Sequence, residues 1–138
     1  MASAAASFAK PEIKLGMPPT FGGTQRLPRL AGRKRALELL LTGDTFSPTQ
    51  ARDMGLINMI VAPDDLLPAA RDLAARITRH APAAVSGILS AVTRGLNMTI
   101  AEGLLAESEQ FARLVPTHDL SEGLAAWRQR RAPQYSGQ

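Results

Sequence analysis

Glu12 is the first acid in the chain, and no other follows until Glu38. It stands between Pro11 and Ile13, ahead of "KLGMPPTFGGTQRL", a run with two adjacent prolines and a glycine pair. A carboxylate in such apolar company would be partly desolvated, which suits it to general acid/base work. The plainer alternative is a surface glutamate at the end of a strand. The other chemistry-bearing residues are sparse. His80 and His118 stand alone, one at a predicted helix end and one near a helix start, with no metal-ligand spacing around them. Glu107 and Glu109 fall on different faces of a predicted helix. There is no cysteine, so disulfides and thiolate metal sites are excluded. No HExxH, GxSxG, Walker or GxGxxG pattern occurs.

The elements around Glu12 must hold it. Residues 8–13 are half apolar and run into the proline/glycine segment, which predicts a strand end followed by a turn. Thr24 is the expected cap of a short helix to Leu30, closed by Gly32. Residues 33–41 carry an apolar face and stop at Gly43. "SPTQ" at 47–50 is a capping box with proline in the first helical position. "LINMIV" at 56–61 reads as a strand. Helices follow from Asp64 to about His80, from Pro82 to Leu96, from a second capping box at Thr99 to Leu114, and from about Leu120 to Arg131. The tail "QYSGQ" reads as loose. Two short strands far apart in sequence do not make a stable sheet. Their edges call for partners outside the 138 residues.

Composition is that of a globular protein, 45% hydrophobic and 20% charged, with a net charge of +4. Its longest apolar runs are too short to span a bilayer. The N-terminal "MASAAASFA" lacks the basic start and long apolar stretch of a signal peptide. A cytoplasmic setting is the expectation, with no membrane partner. The basic clusters "RLPRLAGRKR" and "WRQRR" raise the question of nucleic acid. Aromatic residues make up only 4% of the chain, and Trp127 alone stands within these clusters, so no nucleic-acid partner is expected.

Three blocks, in order and over nearly the whole chain, carry a family resemblance. "FAKPEIKLGMPPTFGGTQRLPRLAG" resembles "FGxPEIxLGxxPxxGGTQRLxRxxG" of the enoyl-CoA hydratase/isomerase (crotonase) superfamily. "LLLTGDTFSPTQARDMGLINMIV" is similar to its "LTGxxxxAxxAxxxGLVxxVV". "EGLLAESEQFARLVPTHDLSEGLAAWRQRRAPQYSGQ" resembles its ending, "ExxxFxxxxxTxDxxEGxxAFxEKRxPxFxGQ". The resemblance implies an α/β fold: the last turn of a crotonase-like ββα spiral, followed by a C-terminal helical region that drives trimers, often paired into hexamers. The implied division is 1–62 for the end of the spiral core and 63–138 for the helical region.

It also implies a function. Substrates would be acyl-CoA thioesters, with no metal or redox cofactor, and an enolate-like intermediate held by two backbone N–H groups. Glu12 matches the general acid/base glutamate, which in hydratases exchanges protons with the water added across the 2,3 double bond. Thr20 matches a loop position whose backbone N–H helps to place that water. "PPTFGG" departs here from the commoner "IPGAGG". Gly22 and Gly23 match the family's glycine pair. Trp127 matches an aromatic over the acyl or pantetheine region, and Arg130 a basic residue for the CoA phosphates, whose planar fork suits the task. The family's first oxyanion N–H, main CoA loop and second glutamate precede the region matched here. The expectation is therefore a truncated chain, the C-terminal half of an enoyl-CoA hydratase, inactive alone. The alternatives are an isomerase or a non-catalytic oligomerisation module.

Overall fold

The computed structural model describes residues 1–138, which divide into two compact units, Met1–Arg71 and Asp72–Gln138. In the first unit, strand β1 (Ala2–Ser3) pairs parallel with β2 (Ile60–Val61), in the register Ala2 opposite Ile60 and Ser3 opposite Val61. Between them lie helices α1 (Gly23–Ala31), α2 (Arg33–Thr42) and α3 (Pro48–Asp53). Leu27, Ala36 and Leu40 form the core, with Ala31, Leu39 and Leu56 packed against it. α4 (Leu66–Thr78) runs through the boundary in sequence.

Three expectations for this unit are corrected. Residues 8–13 are not a strand end. Phe8 makes a single antiparallel bridge to Phe46, its ring stacked at 5.5 Å, and Pro11–Leu15 is a 3-10 turn. Pro11 occupies the first position of that turn, where its missing N–H costs nothing. The strand that pairs with residues 60–61 lies instead in the alanine-rich start, which carries no strand propensity to announce it. The predicted strand at 56–61 accordingly shrinks to its last two residues. Thr24 does not cap α1. Gly22 does, at φ 84°, a left-handed conformation that glycine adopts freely.

The capping boxes form as expected. Gln50 N–H donates to Ser47 Oγ at 3.2 Å, and Ser47 N–H donates to Gln50 Oε1 at 2.8 Å. In the second unit, Thr99 N–H donates to Glu102 Oε2 at 2.9 Å and the Thr99 hydroxyl does so at 2.7 Å. These bonds, the hydroxyl's first, hold Glu102 below the ordinary carboxylate range. This box opens α6 (Ile100–Leu114), which packs along α5 (Pro82–Gly95). Thr117 caps α7 (His118–Gln129), its hydroxyl oxygen accepting from Leu120 N–H at 3.2 Å.

The tail is not loose. Asp119 is 2% exposed, and its carboxylate accepts from Ser136 N–H at 2.7 Å and Gly137 N–H at 2.9 Å. Its own N–H donates to the Gln138 carbonyl at 3.0 Å. Glu122 accepts from Gln134 N–H at 2.8 Å. No helix of the chain is long and apolar enough to cross a membrane.

Candidate functional site

Glu12 is the second residue of the Pro11–Leu15 turn. Gly16, at φ 75°, ends the turn by donating its N–H to the Ile13 carbonyl at 3.0 Å. The turn sits on the end of α2. A β-carbon on Gly43 would stand 3.0 Å from Ile13 Cγ2 and 3.1 Å from Lys14 Cε. Lys14 also pairs with Asp44 at 3.6 Å.

The Glu12 side chain is 28% exposed. Lys10 Nζ lies 3.8 Å from Oε1, and Oε2 is buried with no protein donor. A buried acceptor without a donor is costly, and such atoms are rare in folded chains. Oε2 therefore has capacity for one more O–H, from water or substrate. Lys10 was not singled out in the sequence. The signal was its place two residues before Glu12, within reach of the same carboxylate.

The loop after Glu12 is tightly built. A β-carbon on Gly23 would fall 2.7 Å from Pro19 Cβ and 3.7 Å from Lys10 Cε. Glycine at this position is thus what lets the buried Pro19 close over the start of α1. Thr20 lies exposed on this turn, and Phe21 beside it is 97% exposed. An apolar cleft of about 330 Å³ opens nearby, lined by Ile13, Pro18, Pro19, Thr24 and α2 side chains. Glu12 is not among its lining residues.

Thr20, the glycine pair and Glu12 thus share one stretch of the first unit. Trp127 and Arg130 belong to the second, at the end of α7. Trp127 is 79% exposed. Arg130 follows the helix at φ 54°, the only non-glycine residue at positive φ. Its N–H donates to the Trp127 carbonyl at 3.2 Å, closing the helix. Asp119 and Glu122 also went unassigned in the sequence, although both lie within the final block of the resemblance.

The comparisons with known proteins agree with one another. The family model for enoyl-CoA hydratase/isomerase matches residues 1–138. A probable enoyl-CoA hydratase of Mycobacterium leprae is 43% identical over 136 residues, covering 99% of this chain and 53% of the relative. A crotonyl-CoA hydratase of Syntrophomonas wolfei is 36% identical, over 98% of this chain and 52% of the relative. Among solved structures, an enoyl-CoA hydratase from Bacillus anthracis superposes with a TM-score of 0.95 at 35% identity, over 99% of this chain and 53% of that one. The chain spans about half the length of the curated relatives it matches. With a family match over its full extent, the chain belongs to the enoyl-CoA hydratase/isomerase family.

Proposed function

We propose that this chain supplies the acid/base loop of an enoyl-CoA hydratase, which adds water across the 2,3 double bond of an acyl-CoA thioester. The observation that carries the reading is Glu12 Oε2, buried and without a protein donor, in a turn fixed between α2 and a closed proline loop. In this role Glu12 accepts a proton from the water as its oxygen bonds to the β-carbon and the double-bond electrons pass to the thioester. That proton is then returned to the α-carbon, so that one water is added and Glu12 is regenerated. The Thr20 N–H orients that water. Trp127 covers the acyl or pantetheine stem, and Arg130 meets the CoA phosphates. Residues 1–62 act as the end of the spiral core, and 63–138 as a helical region through which copies assemble as trimers or hexamers. The reading calls for no metal or redox cofactor.

An isomerase is the second reading. It is favoured by the family match, whose description covers both activities, and moving a proton along an acyl chain can be done by one base such as Glu12.

The test joins this chain to the part of the Mycobacterium leprae relative that it does not match. Hydration of crotonyl-CoA is then followed in the chimera, in its Glu12→Gln variant and in the 138-residue chain alone. The expected result is hydration by the chimera, a loss of about 10² or more in rate for Glu12→Gln, and none by the chain alone. A Glu12→Gln chimera at full rate would remove Glu12 from the chemistry. Double-bond migration without hydration would select the isomerase.

A further inference from the structure

The end of α7 is held by more than its own helix. Glu122, nearly buried at its side chain, takes both guanidinium nitrogens of Arg131, Nη1 at 2.6 Å and Nη2 at 2.7 Å. Such a bidentate pair is strong and directional. Arg131 Nε also donates to Gln129 Oε1 at 2.8 Å, and Arg131 N–H to the Ala126 carbonyl at 3.0 Å. This arginine is thus tied to the last turn of α7 through both its backbone and its side chain. The same Glu122 oxygen accepts Gln134 N–H, so one carboxylate bridges the helix and the segment beyond it. One turn earlier, Asp119 receives three donors from residues 136 and 137, the third being Ser136 Oγ at 3.3 Å. Tyr135 lies between the two attachments. Its hydroxyl is 3.2 Å from where a β-carbon on Gly123 would stand, so the ring covers the one α7 position that leaves room for it.

We propose that Asp119 and Glu122 are positioning residues: with Arg131 they fasten residues 132–138 back along α7, and so fix the helix end that carries Trp127 and Arg130. The bearing of this on substrate rests on the acyl-CoA reading of those two residues; the fastening does not. A helix end normally frays, because its last carbonyls lack partners. Here an exposed tryptophan and a left-handed arginine stand on such an end, and a returning strap with two acid anchors opposes the fraying. The expense is a buried carboxylate, Asp119, tolerable because its acceptor capacity is filled by backbone and hydroxyl donors.

The test uses the 138-residue chain, whose only tryptophan is Trp127. Amide hydrogen exchange is measured over residues 126–138, together with the fluorescence anisotropy of Trp127, in Glu122→Gln, Arg131→Met and Asp119→Asn. The expected result is exchange at least about ten times faster across 126–138 and a lower anisotropy, with the exchange of α6 unchanged. Arg131→Lys should restore part of the protection, since it keeps the charge and loses the fork. If Asp119→Asn does not fold, the other two variants decide, since Arg131 is 40% exposed and Glu122→Gln keeps the size of the side chain. Unchanged exchange and anisotropy in both would overturn the proposal. Quenching of Trp127 by free CoA is read separately in the parent chain. Its absence would count against the substrate reading, and the exchange rates would still judge the fastening.

Discussion

Arg130 keeps a backbone conformation that a residue with a β-carbon tolerates poorly. At φ 54° its β-carbon crowds the next carbonyl, and glycine is the usual occupant of this place after a helix. The proposed contact with the CoA phosphates would account for an arginine there. Arg130→Gly should therefore stabilise the chain by up to about 1 kcal/mol, read as a higher urea midpoint, while weakening CoA binding. A variant no more stable than the parent would show that the turn carries no strain. The sequence disclosed Arg130 only through its family pattern, because backbone torsions leave no mark in composition. Glu12 was easier to find, since proline before it and apolar residues around it are local signals. Its pairing with Lys10 was not, because spacing alone does not show that two flexible side chains meet.

The capping boxes at Ser47 and Thr99 were legible because each joins residues three apart, a distance that the sequence itself displays. The β-strands were not. Strands of two residues have no alternation to read, and their partner is set by the fold of everything between. The tail was misread for the same reason, as its anchors lie up to 18 residues back. Glu122 gives α7 a pH dependence. Hydrogen bonds from Arg131, then from Gln134 N–H, with the charges of Arg131 and His118 adding, bring Glu122 from 4.5 down to about 2. A depressed carboxylate contributes its full stability above its unfolded value and loses it as pH falls towards the folded one. The thermal midpoint of the chain should thus fall between pH 4.5 and about 2. In Glu122→Gln the fall should be shallower, though not absent, since Glu102 is shifted in the same direction. Parallel slopes for the two proteins would contradict this account.

Across the whole molecule the buried core is small and the exposed apolar surface large. No large side chain is fully buried, while Leu96, Ile100 and Phe21 are mostly exposed, with many other leucines and isoleucines. Apolar surface on this scale marks interaction sites or association. The 138-residue chain should sediment as a species whose mass rises with concentration and should bind a hydrophobic dye while folded. A single monomeric boundary with no dye uptake would contradict this. The family was legible from three ordered blocks of residues. What covers these faces was not, because a sequence records which residues are apolar and not which of them find neighbours.

The pairing of Ala2–Ser3 with Ile60–Val61 also sets an order of events. Closing the chain from residue 3 to residue 60 costs loop entropy, and two short strands return little of it. α1, α2 and α3, whose contacts are local, can form before that closure. On this account the Ala2–Ser3 pairing is expected to form after those helices and to open before them.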